Sequence, residues 1–160
     1  MERPYDEIEA GLATSGDRAT RMRAFVDLAW EHLHACGVSW IGFYLPDGDG
    51  QLVLGPSRNK PACSPIGLHG ACGRALRAKR PLVVRDVAVL GEDYIACDPR
   101  DRAELVIPLF EQDGRCWGVL DVDSFESGAF ERRDAERFAA LLGAAGLTAV
   151  DARLDDPLVL

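Results

Sequence analysis

Three of the five cysteines stand where a thiol can react. Cys63, Cys72 and Cys97 lie in irregular segments or at element boundaries, and such segments tend to face solvent. Cys72, in Gly70-Ala71-Cys72-Gly73, falls at the predicted N-terminus of a helix. Free N–H groups and the helix dipole favour a thiolate there. Cys97 sits in Tyr94-Ile95-Ala96-Cys97-Asp98-Pro99, inside the longest predicted loop. Asp98 beside it disfavours a thiolate, and Arg100 and Arg102 offset that. Cys36 ends a helix and Cys116 begins a strand, so both read as small buried hydrophobes. The reactive trio admits thiol–disulfide exchange, metal ligation or plain packing. Zinc fits poorly: separations of 9 and 25 residues leave no C-x₂-C pair, even with His69 as a fourth ligand.

Carboxylates form the second group. Asp121 and Asp123 are two apart on a predicted strand and therefore share a face. Glu104 opens the strand that a hairpin sets beside them. Together they would form an acidic pocket that attracts an ammonium group. Mutual repulsion would raise the pKa of one member and leave it a proton to donate. Taken singly, each reads as a solvated carboxylate at a sheet edge. Trp40 and Tyr44, four apart on another strand, also share a face. They serve either as core or as an aromatic wall for a methyl-sulfur group.

The elements that must position these groups follow from periodicity. Residues 4–13 read as a short helix, and Asp17 N-caps a second. Met22, Phe25, Val26, Ala29 and Leu33 form its inner face, and Gly37 ends it. Strands over 40–45 and 51–54 flank a turn at 47–50. Residues 56–70 read as irregular, 71–79 as a helix, 82–84 as a strand and 86–102 as a loop. Strands over 105–110 and 116–122 close a hairpin around Asp113-Gly114. A last helix is predicted over 132–151, with Ala135, Phe138, Leu141, Leu142 and Ala145 inward. The order implies an α+β fold: a central antiparallel sheet with helices packed mainly on one face.

Length and composition narrow the class. The 160 residues, 48% hydrophobic and 28% charged, suit one soluble domain. The net charge of −8 argues against a nucleic-acid or anionic membrane surface. The charged N-terminus carries no apolar signal core. A cytosolic setting is expected, where permanent structural disulfides are unusual.

Several segments together resemble a known family. They are Trp40-Ile41-Gly42-Phe43-Tyr44, Leu54-Gly55-Pro56, Lys60-Pro61-Ala62-Cys63, Ala71-Cys72-Gly73, Ile95-Ala96-Cys97-Asp98, Glu104-Leu105-Val106-Ile107-Pro108-Leu109 and Gly118-Val119-Leu120-Asp121-Val122-Asp123-Ser124. This set resembles the free methionine-(R)-sulfoxide reductases, which are GAF-domain enzymes, over nearly the whole chain. The resemblance implies one GAF domain over 1–160, with N-terminal helices in 1–37, a core over 38–151 and a tail from 152. It implies Cys97 as nucleophile, Cys63 as resolving cysteine and Cys72 as a third thiol in exchange. It implies Glu104, Asp121, Asp123, Trp40 and Tyr44 as the substrate site. Reduction would run through a sulfenic acid and an intramolecular disulfide. No bound cofactor or metal is implied; electrons come from NADPH through thioredoxin, and a cytoplasmic homodimer is expected. Tyr94 stands where the family carries a histidine or similar polar residue. The alternatives are a GAF module that senses a small molecule without turnover, and a thiol sensor that closes a Cys63–Cys97 disulfide.

Overall fold

Alternation along the strands sorts the chain into two layers around one sheet. The computed structural model describes residues 2–59 and 62–160; Lys60 and Pro61 of the Lys-Pro-Ala-Cys segment lie outside the described residues. The strands are β1 (Trp40–Pro46), β2 (Gln51–Arg58), β3 (Ile66–Gly67), β4 (Leu82–Val84), β5 (Ala103–Phe110), β6 (Cys116–Ser124) and β7 (Leu158–Val159). They join in the order β3-β2-β1-β6-β5-β4-β7. Neighbours run antiparallel except β4 and β7, which are parallel. β6 therefore lies at the centre of the sheet, between β1 and β5.

The helices are α1 (Tyr5–Gly11), α2 (Arg18–Leu33), α3 (Ala71–Ala78) and α4 (Arg132–Ala144). Asp17 caps α2 by accepting from the Thr20 N–H at 2.8 Å, and the five predicted inner residues of α2 are all buried. Helices α1, α2 and α4 cover one face, packed on Ile41, Phe43, Leu105, Ile107, Leu120 and Val122. Helix α3 covers the other, over Trp40, Tyr44, Val106 and Val119. The expected α+β arrangement with helices mainly on one face is thus present, on a sheet that the parallel β7 makes mixed.

Three local readings need correction. First, β2 continues through Pro56 to Arg58. The β1–β2 register shifts between Gly42 and Tyr44, so Pro56 meets a bulge where its missing N–H costs no ladder bond. Second, α4 stops at Ala144, short of residue 151. Gly146 has φ +67°, Gly146 N–H donates to the Gly143 carbonyl at 3.0 Å, and Leu147 N–H to the Leu142 carbonyl at 2.9 Å. That is a Schellman stop; beyond it Leu147 and Ala149 are buried as irregular chain and Val150 is exposed. Third, the tail pairs as β7 beside β4.

Candidate active site

Register brings the separated residues into rows on the α3 face. Glu104 on β5 pairs with Asp123 on β6, which pairs with Trp40 on β1. The next row on that face is Val106, Asp121 and Gly42. The absence of a side chain at Gly42 is what admits the indole. A Cβ there would lie 2.4 Å from Trp40 Cη2 and 2.7 Å from Ser57 Cβ. The ring instead lies across Gly42 toward Tyr44, with centroids 5.9 Å apart.

Seven of the eight sequence-predicted site residues line one pocket: Trp40, Tyr44, Cys72, Cys97, Glu104, Asp121 and Asp123. The pocket measures about 490 Å³ counted to its open mouth. The eighth, Cys63, is joined to it by a disulfide to Cys97, with Cα atoms 5.5 Å apart. The Tyr44 hydroxyl donates to the Cys63 carbonyl at 2.7 Å, and Ser64 Oγ accepts from the Leu54 N–H at 3.0 Å. The Cys63 loop is therefore moored to β1 and β2. On the other side of the disulfide, Asp98 folds into a turn closed by the Arg100 N–H at 3.0 Å. Arg100 also clamps the Asp98 carboxylate through its guanidinium, at 2.7 Å at the shortest, and holds its pKa below the usual range. Arg100 thus acts by neutralising Asp98, while Arg102 is turned to solvent.

The carboxylates do not sit at a wet sheet edge. Because β6 is central and α3 lies over this face, Glu104 and Asp121 are only 8% and 6% exposed. Burial pushes Glu104 well above the usual carboxylate range, and the Asp123 charge adds to it. Asp121 is raised by burial and then by Glu104. Asp123, nearer the rim, is raised by burial and then by Asp121. Groups so coupled titrate as a set and hold their shared protons to higher pH than free carboxylates do.

Cys72 corrects a sequence expectation. It does begin a helix, but it lies on the buried face of α3, and burial followed by the Asp121 and Glu104 charges raises its thiol pKa. Desolvation and like charge outweigh the helix dipole. Gly73 beside it lets the chain return closely, since a Cβ there would meet the Leu68 carbonyl oxygen at 2.0 Å.

Cys72, Glu104 and Asp121 each offer a ligand atom within 4.8 Å of the others, the described set close enough to hold a cation. This is not the three-cysteine zinc set, because the disulfide occupies Cys63 and Cys97. Two buried polar atoms on the pocket wall, Trp40 Nε1 and Asp121 Oδ1, have no partner among the described residues. Buried polar groups are ordinarily paired, and this donor and acceptor are open to a polar ligand.

Sequence reasoning missed Asp101, Tyr94, Ile66 and Ile95 as pocket walls. Asp101 is buried, accepts from Ser39 Oγ at 2.9 Å, and is pushed up to about 6, chiefly by burial. Its place in the loop beside Cys97 was the available signal.

Residues 17–148 match the GAF domain family. The chain is also 35% identical to the free methionine-R-sulfoxide reductase of Neisseria meningitidis, solved in complex with its substrate. The TM-score is 0.78, over 88% of this chain and 83% of that one. The chain belongs to the free methionine-R-sulfoxide reductase family of GAF domains. Among curated relatives of this GAF domain, the Dictyostelium discoideum GAF domain-containing protein A is 38% identical over 64% of this chain and 65% of the relative. The free methionine-R-sulfoxide reductase of Saccharomyces cerevisiae is 35% identical over 64% of this chain and 58% of the relative. The chain thus spans less than two thirds of the length of these two curated relatives. Among the described residues, no helix of this GAF domain is long and apolar enough to cross a membrane.

Proposed function

We propose that this GAF domain reduces free methionine-R-sulfoxide to methionine. The observation that carries the reading is the Cys63–Cys97 disulfide, formed at a pocket that also holds an aromatic pair and carboxylates whose pKa values burial raises. Trp40 and Tyr44 hold the methyl-sulfur end against their rings. Glu104, Asp121 and Asp123 bind the polar end and the sulfoxide oxygen, and a protonated member gives its proton to that oxygen. Protonation makes sulfur electrophilic, a general-acid contribution of about 10²–10⁴-fold.

The Cys97 thiolate attacks that sulfur. The oxygen passes to Cys97, methionine leaves as the thioether, and Cys97 is left as a sulfenic acid. The Cys63 thiol attacks the oxidised sulfur, water departs and the disulfide forms. A dithiol donor of the thioredoxin type, supplied by NADPH, returns two electrons by exchange. Cys72, buried on the pocket wall with its thiol pKa raised by burial and the neighbouring acids, is the third thiol of this reading. A cytoplasmic homodimer without a bound cofactor belongs to the same reading.

The test is NADPH consumption coupled through thioredoxin, with free R- and S-methionine sulfoxide offered separately. Wild type should turn over the R epimer only, and Cys97→Ser should abolish turnover. No turnover of either epimer by folded, reduced protein would discard the reductase and favour a ligand-sensing GAF domain. A disulfide that forms with peroxide but ignores methionine sulfoxide would favour the thiol sensor.

A further inference from the structure

Asp101 is a fourth carboxylate on the same pocket wall as Glu104, Asp121 and Asp123, yet it comes from the loop that carries Cys97. It is only 5% exposed. Its N–H donates to the Asp98 carbonyl at 3.2 Å, and its Oδ1 accepts from Ser39 Oγ at 2.9 Å. Ser39 is itself fixed, its N–H donating to the Asp123 carbonyl at 2.8 Å. One serine thus ties the Asp101 side chain to the backbone beneath Asp123. Among the described residues nothing donates to Asp101 Oδ2.

Burying a carboxylate is unfavourable unless a cation or donors compensate it. Here four are gathered, and none of the described lining residues is Lys or Arg. The nearby Arg100 is committed to Asp98 and to the Phe125 ring, 4.5 Å from its centroid. Asp121 Oδ1, buried on the same wall and without a hydrogen-bond partner among the described residues, is a further acceptor open to a ligand's donor. Shared protons offset part of that cost, and the open Asp101 Oδ2 is free to meet a cation carried by the ligand.

Resting on the reductase reading, we propose that Asp101 completes an ammonium subsite. With Asp123 it receives the α-ammonium of a free amino acid, and so excludes methionine sulfoxide within a polypeptide, whose nitrogen is an uncharged amide. Asp101 is then a specificity-determining residue of this pocket.

The test compares free methionine-R-sulfoxide with 4-(methylsulfinyl)butanoate, which lacks the ammonium group. Asp101→Asn preserves size and the acceptor for Ser39. It should raise KM for the amino acid about tenfold or more with kcat within about twofold, the worth of one charge-assisted bond. Its kcat/KM for the des-amino compound should hold or rise. Ser39→Ala, which frees the carboxylate without removing it, should show the same selectivity more weakly. An equal effect of Asp101→Asn on both compounds, or no effect on either, overturns the subsite. Calorimetric binding of methionine and 4-(methylthio)butanoate separates this from the reaction itself. Selective weakening of methionine binding in a protein that turns over no sulfoxide keeps the subsite and removes the reductase. Turnover by wild type with no selective effect of Asp101→Asn does the reverse. A wild type that binds neither methionine nor the thioether acid overturns both.

Discussion

Alternate residues of β1, β5 and β6 go to opposite sides of one sheet. Toward α1, α2 and α4 they are Ile41, Phe43, Leu105, Ile107, Leu120 and Val122, all fully buried and apolar. Toward α3 they are Trp40, Gly42, Glu104, Asp121 and Asp123, with an open pocket above them. The first face stabilises the fold by about 25 cal/mol for each Å² of apolar surface removed from water. The second face also buries Tyr44, Val106 and Val119 under α3, but its carboxylates oppose folding, because buried they must hold protons or remain charged without a cation. The contrast shows where stability and chemistry are divided: a period of two residues along the strand is enough to separate them.

Substitutions should therefore have opposite signatures on the two faces. Glu104→Gln should lower kcat by about 10²–10⁴-fold, as expected for a lost proton donor. The same change should raise the melting temperature at neutral pH, because a raised carboxylate pKa costs the folded state whenever pH exceeds the unfolded value. Rate assays beside thermal unfolding check it, and a variant both slower and less stable would break the division.

Phe138→Ala on the opposite side should cost roughly 3–5 kcal/mol of stability, since the ring is fully buried and packs edge-on against Tyr5 at 5.6 Å. Turnover per folded molecule should be nearly unchanged, read from denaturant unfolding and kinetics on the same sample.

The smallest effect is a pH dependence. Asp101 is raised from 3.8 to about 6, so between those values the native state binds more protons than the unfolded chain. Stability from this group is present below the lower value and lost as pH rises to the upper one. Asp101→Asn should match wild type near pH 4 and exceed it by roughly 1–2 kcal/mol at pH 7, after allowance for solvent at the pocket mouth. A gap that is already complete at pH 4 would assign the gain to packing instead.

The dry face was the legible one. The inner residues of α2 and α4 and the long β5–β6 hairpin follow from periodicity, because apolar burial dictates them residue by residue. The pocket face was legible as a set of residue types, and its identity came through the family resemblance. Its burial was not legible, since a carboxylate on a strand reads as solvated until β6 is seen at the centre of the sheet. Asp101 was missed because a loop has no period from which to infer the direction of a side chain. The thiol of Cys72 was misjudged because local helix position is visible in sequence, whereas the acids it meets arrive from strands far along the chain. Pro56 and the tail strand were missed for a related reason: a bulge and an edge partner are set by tertiary pairing.

Gly42 carries a consequence for how this pocket can change over time. The depth of the cavity depends on an indole resting where a methyl group would otherwise be. Selection on the size of the bound molecule therefore acts on a residue whose contribution is an absence of atoms. A lineage that shifted to a bulkier or smaller ligand would have to renegotiate position 40 and position 42 together.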